Sequence, residues 1–133
     1  MSNYRDFLHR SAKARGSILC VGIDPILDFI PLDGTPRYVI VKYYSEILER
    51  LFCAPQAPSA IKPNAAYFEQ YGVEGLQALE DIVALSRGFD VPIILDAKRG
   101  DIGSTAEQYA IEAFERYGAD AVTLSPFMGW DSV

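Results

Sequence analysis

Ile93-Ile94-Leu95-Asp96-Ala97-Lys98-Arg99-Gly100-Asp101-Ile102 opens on three apolar residues and runs into four charged ones. The apolar part, with Pro92 ahead of it, reads as a short strand buried on both faces. Its carboxyl end carries the charges. In a strand, side chains two apart share a face, so Asp96 and Lys98 are expected to point the same way and Ala97 the other. Asp101 lies beyond Gly100, and that alternation does not set its direction.

Three other apolar runs resemble this one: Ile18 to Ile23, Ala60-Ile61, and Ala121 to Leu124. Helical spacing fills the intervals. A first helix is predicted over Asn3 to Ala14, ahead of Gly16. A second follows Thr35-Pro36, a good N-cap and first-turn pair, with Val39, Ile40, Tyr43, Ile47, Leu48 and Leu51 at spacings of three and four. A third runs from about Val73 to Leu85. A fourth runs from about Ser104 to Tyr117, with Tyr109, Ala110, Ala113 and Phe114 inward and Gly118 as its stop.

Strands apolar on both faces and separated by helices mean a parallel sheet with right-handed crossovers. Both an open doubly wound sheet and part of a (β/α)8 barrel fit that pattern. The first strand ends Val21-Gly22-Ile23-Asp24-Pro25, without the Gly-x-Gly-x-x-Gly of a dinucleotide fold. Asp24, Lys62, Asp96 with Lys98, and Ser125 end successive strands, each about one β-α unit after the last. All four ends therefore lie on one rim, where α/β enzymes keep their chemistry.

Composition narrows the function classes. Of 133 residues, 50% are hydrophobic and 23% charged, a globular balance that fits a single domain over 1–133. Eighteen acidic against twelve basic residues give a net charge of −6, which argues against a nucleic-acid partner but not against a small anionic ligand. No apolar stretch has the ~20 residues of a membrane span, and the polar amino terminus is unlike a signal peptide. Cys20 and Cys53 lie beside apolar residues and read as small core groups in a reducing compartment, so the cytoplasm is the expected location.

At the rim, carboxylates around an ammonium favour its charged form. Lys62 from the neighbouring strand extends this into an alternating network of two anions, Asp96 and Asp101, and two cations, and these four are the candidate catalytic residues. Such a network places a fixed negative charge beside a leaving carboxylate and a proton donor beside the carbanion that forms.

Asp96-Ala97-Lys98-Arg99-Gly100-Asp101-Ile102 resembles the signature of the orotidine 5′-phosphate decarboxylase family, in the version of its longer bacterial chains. The resemblance extends in order to Val21-Gly22-Ile23-Asp24-Pro25, to Ile61-Lys62-Pro63-Asn64 with Ala66-Tyr67-Phe68-Glu69, and to Gly118-Ala119-Asp120-Ala121-Val122-Thr123 with Ser125-Pro126. It implies a (β/α)8 TIM barrel, of which these residues make about the first four β-α units. A full barrel takes about 250 residues; if these 133 are the entire polypeptide, an open sheet edge is expected, with weak substrate binding and association through that edge. It implies conversion of orotidine 5′-phosphate to UMP and CO2 without metal or organic cofactor. By position, Lys98 would protonate C6, Asp96 would sit against the substrate carboxylate, Lys62 would join the charge network and contact the ribose, and Asp24 would bind a ribose hydroxyl. Asp101, Ile102 and Thr105 would reach the partner's site in a homodimer. Phosphate sites on such barrels come from the loops after strands seven and eight, outside these residues.

Other readings of the same residues are plainer. Asp96 and Lys98 also fit an ordinary strand-end ion pair, and Asp24 before Pro25 a turn. Thr105 fits a first helical turn, Arg99 a structural or interface ion pair, Ser125 a strand end, and His9 a solvated helix face. Tyr43-Tyr44 and Tyr67-Phe68 read as packing pairs. Competing functions are a related sugar-phosphate decarboxylase or epimerase, a Schiff-base lyase, and an inactive half-barrel module. The first of these needs a metal-binding carboxylate at another strand end, and strand two offers none beside Lys62. The second needs a neutral lysine, which adjacent aspartates oppose.

Overall fold

The computed structural model describes residues 3–130 and Val133. Helix α1 (Tyr4–Arg15) leads into β1 (Cys20–Ile23), α2 (Pro36–Phe52), β2 (Ala60–Pro63), the short α3 (Ala65–Glu69), α4 (Gly72–Arg87), β3 (Ile94–Arg99), α5 (Gly103–Ala110) and β4 (Ala121–Leu124). Helix α5 continues as a π-helical turn over Ile111–Arg116.

Local chemistry sets the helix ends. The Asn3 side chain accepts from the N–H groups of Arg5 and Asp6, and Gly16 closes α1 at φ 58°, where a side chain is strained. Thr35 caps α2 through Tyr38 N–H, with Pro36 in the first turn. Gly118, at φ 64°, follows the π-helical turn. Helix α3 was not expected from the sequence; five residues are too few to show a helical period.

Among the described residues all pairings are parallel. β1 runs beside β2 with Val21 opposite Ile61, and β3 beside β4 with Leu95 opposite Val122. Two bridges, Ile61 to Ile93 and Asn64 to Asp96, join β2 to β3, giving the order β1-β2-β3-β4. Helices α2 and α4 pack on each other and bury Ile40, Leu48, Leu79 and Ile82 together with Ile61, Ile93 and Leu95 of the central strands. Phe68 of α3 is fully buried in the same core. Gly75 lets α4 approach it: a Cβ there would lie 1.8 Å from the Phe68 carbonyl oxygen. The result is an arc of a β/α barrel, about its first four units.

Helix α1 closes the amino-terminal end of the strands. Buried Ser11 donates to the carbonyl of Ser59, just before β2, and Arg15 donates to that of Phe89, before β3, at 2.8 and 2.5 Å. The carboxyl ends, which carry Asp24, Lys62, Asp96 and Lys98, stay open.

Three expectations need correction. The first strand begins at Cys20, and Ile18 and Leu19 ahead of it are 92% and 59% exposed. Both cysteines are exposed: Cys20 lies on β1, which among the described residues pairs only with β2, and Cys53 at the end of α2. Of the four residues expected inward on the last helix, only Ala113 is buried. Tyr109, Ala110 and Phe114 instead line an open cleft of about 540 Å³ beside β4, because no described strand lies over that side. Among the described residues, no helix is long and apolar enough to cross a membrane.

Candidate active site

Asp96 is the centre of the rim. It lies on β3, is 6% exposed, and receives three donors. Lys62 Nζ, from β2, bonds Oδ2. Lys98 Nζ bonds Oδ1 at 2.5 Å, and the Thr123 hydroxyl of β4 donates to the same oxygen at 2.8 Å. Burial by itself pushes the carboxyl up, but the bonds from Lys62, Lys98 and Thr123, with the Lys62 charge, hold Asp96 well below the usual carboxylate range. The bond to Asp96 pushes Lys62 up against the opposing effect of burial, and the negative charges of Asp96 and Asp24 add to it.

Lys98 meets Asp96 as expected, but by another route. β3 is not regular here: the register with β4 shifts between Leu95 and Arg99, and Lys98 has φ +49°. The bulge with one left-handed residue, rather than simple alternation, brings the ammonium back over the carboxylate. The Lys98 side chain is 65% exposed while that of Asp96 is 7% exposed, so a fixed buried anion sits beneath a cation that reaches the opening.

The next residues anchor this bulge. Arg99 bridges Glu69 of α3 at 2.7 Å and Glu112 of the π-helical turn at 3.2 Å, and lies 5.0 Å over the Tyr109 ring, a structural role as its pattern suggested. Ser125 N–H donates to the Arg99 carbonyl at 2.7 Å, and it too is a backbone partner. Gly100 passes so close to Ser125 that a Cβ would meet its carbonyl oxygen at 2.4 Å.

The remaining residues separate into two places. Asp24 follows β1 on the same rim, near enough to Lys62 to favour its charge, and is exposed. Burial, then the neighbouring Tyr43 and Asp24, push the Tyr44 phenol up to about 12; the Asp24 backbone also bonds this packing residue. Asp101, Ile102 and Thr105 are not in the charge cluster. The Asp101 carboxylate accepts from Ile102 N–H at 2.8 Å at the start of α5, and among the described residues no ion pair joins it to either lysine. Asp101 does not complete the charge cluster within this chain. Ile102 is 56% exposed at the N-cap of α5, and Thr105 N–H bonds its carbonyl at 3.0 Å.

Thr123 is the group that sequence reasoning missed. A lone hydroxyl in the apolar run Ala121 to Leu124 was the available signal, since a polar atom in a buried strand needs a partner.

Known proteins show the same arc. The profile of the Orotidine 5'-phosphate decarboxylase / HUMPS family matches residues 17–133. An orotidine 5'-phosphate decarboxylase of Verminephrobacter eiseniae is 48% identical over 98% of this chain, and one of Polaromonas naphthalenivorans is 50% identical over 96%. The alignments cover 47% and 45% of those proteins, so the chain spans just under half the length of the curated relatives it matches. The solved structure of Leishmania donovani OMP decarboxylase matches 98% of the chain, and 47% of its own length, at 39% identity with a TM-score of 0.82. Profile, relatives and backbone geometry agree on one assignment: the chain belongs to the orotidine 5'-phosphate decarboxylase / HUMPS family.

Proposed function

We propose that the chain forms, as one domain, the amino-terminal half of a barrel that decarboxylates orotidine 5′-phosphate to UMP and CO2. The observation that carries this reading is the Lys62–Asp96–Lys98 cluster at the open mouth, a buried carboxylate kept charged by three donors beneath an exposed ammonium.

In the proposed reaction the substrate carboxylate lies against Asp96. The C6–carboxylate bond breaks, its electron pair stays on C6, and CO2 leaves. Lys98 then gives C6 a proton. The ammonium is already in place before charge develops, so it stabilises the carbanion without reorganisation. Lys62 orients Asp96 and contacts the ribose, and Asp24 binds a ribose hydroxyl. The substrate is thus a small nucleotide, and no cofactor takes part in the step.

Asp101, Ile102 and Thr105 act on a partner's site in a homodimer. The support is their position: a carboxylate that accepts from Ile102 N–H and, among the described residues, forms no ion pair with its own chain's lysines, beside an exposed isoleucine at the start of α5. A cytoplasmic location fits de novo pyrimidine synthesis.

The test follows the ultraviolet band of orotidine 5′-phosphate. Its loss in the presence of protein, and the failure of Lys98→Ala to cause that loss, are expected. No turnover by a polypeptide of the relatives' full length overturns the reading.

A further inference from the structure

The reaction proposed above gives Thr123 no role, yet it sits between its two main groups. Leu95 of β3 pairs with Val122 of β4, and the next pair is Arg99 with Leu124. One β4 residue, Thr123, therefore faces three on β3: Asp96, Ala97 and Lys98. The regular ladder is interrupted across that gap, and the backbone N–H of Lys98 needs another acceptor. It finds the Thr123 hydroxyl, at 3.0 Å. The same oxygen donates its proton to Asp96 Oδ1 at 2.8 Å. A hydroxyl has one proton and two lone pairs, so both bonds are held at once.

We propose that Thr123 is a positioning residue, whose hydroxyl ties the left-handed backbone of Lys98 to the carboxylate of Asp96. A non-glycine residue at φ +49° persists only where its surroundings hold it. Thr123 supplies that hold on the amino side of Lys98. On the carboxyl side the Arg99 carbonyl, bonded by Ser125 N–H, resumes the ladder. Lys98 Nζ and the Thr123 hydroxyl both bond Asp96 Oδ1, while Lys62 takes Oδ2. One hydroxyl thus fixes where the lysine backbone starts and which way the carboxylate it must meet is turned. The functional consequence rests on the proposed decarboxylation; the structural tie does not.

The two are tested separately. Amide hydrogen exchange of Lys98 is followed by NMR in the 133-residue chain, with the Ile61 amide of the central strands as internal reference. Thr123→Val removes the hydroxyl at nearly constant shape, and Lys98 is expected to exchange about tenfold faster relative to Ile61. Thr123→Ser keeps the hydroxyl and is expected to restore protection to within about twofold of the parent chain. The Asp96 carboxyl, still facing Lys62 and Lys98, should titrate at a higher pH in Thr123→Val and not in Thr123→Ser, because a donor to its charged form is lost. Unchanged Lys98 exchange in the valine variant, or serine failing to restore it, overturns the proposal. If the valine variant does not fold, the parent chain decides: a slowly exchanging Thr123 hydroxyl proton with a cross-peak to the Lys98 amide supports the tie, and its absence overturns it. In a polypeptide of the relatives' length, kcat should fall about tenfold in Thr123→Val with KM nearly constant, and recover in Thr123→Ser. A change confined to KM overturns the positioning role. Absent turnover in every form, with the exchange pattern intact, counts against the reaction alone.

Discussion

The two central strands and the two outer ones are built from the same kind of apolar run, yet they end in different surroundings. Ile61 of β2 and Leu95 of β3 are 0% and 1% exposed. On the flanks, Leu19 before β1 is 59% exposed and Leu124 of β4 38%, with Phe114 beside it at 46%. An apolar run determines that a strand forms; burial depends on what lies next to it. The same contrast separates the charged residues. Asp96 faces donors from both neighbouring strands, whereas Asp101, beyond the last regular position of β3, finds its partner in the backbone of the next residue.

The sharpest way to break this contrast is to remove bulk at the centre. Phe68→Ala takes a fully buried ring out of the contact between α3 and α4 and should cost about 4 kcal/mol in denaturant unfolding. A loss under about 1 kcal/mol would mean that the centre of the arc is no better packed than its flanks.

Next in size is Asp96→Asn. It removes the negative charge shared by two ammonium groups and should destabilise the chain by roughly 2 kcal/mol near neutral pH. The pH dependence has a definite sign. The folded carboxyl is held below its unfolded value of about 4, so its contribution is complete above that value and is lost as pH falls through it towards the folded one. Lys62 acts oppositely: its pKa is raised, and its contribution is present below the ordinary lysine value and lost as pH rises beyond it. Urea midpoints between pH 2 and 6 should show a flatter acid limb for Asp96→Asn than for the parent chain. Equal slopes would detach Asp96 from the rim's electrostatics.

Much of this was legible in the sequence, for reasons that differ from place to place. Caps such as Thr35 and stops such as Gly16 and Gly118 act within a turn, so their residue types announce them. Lys62, Asp96 and Lys98 were legible as strand-end charges one β-α unit apart. The bulge that joins the last two was not, because its cause lies across the sheet, in Thr123 and in the anchoring of Arg99 by two helices. Nor was the exposure of Cys20 and Phe114, which depends on neighbours that no local pattern encodes.

Gly100 tests that bulge where the sheet's centre gives way to its flank. Gly100→Ala places a Cβ 2.4 Å from the Ser125 carbonyl, and because backbone cannot yield as a side chain can, β3 and β4 must separate. A cost of about 1–2 kcal/mol is expected, with faster exchange at the Ser125 amide that bonds Arg99. If the substitution is neutral, β4 is held at that point more loosely than the 2.7 Å bond implies.

The smallest effect belongs to the flank itself. Phe127, in the turn after β4, is 92% exposed. Truncating an exposed ring removes little area from water contact on folding, so Phe127→Ala should change unfolding free energy by less than about 0.5 kcal/mol, against the roughly eightfold larger loss at Phe68. The comparison has force because both are phenylalanines and differ only in neighbours. A loss above about 1 kcal/mol at Phe127 that grew with protein concentration would show the flank covered by another copy of the chain. An effect independent of concentration would place the cover within a single chain.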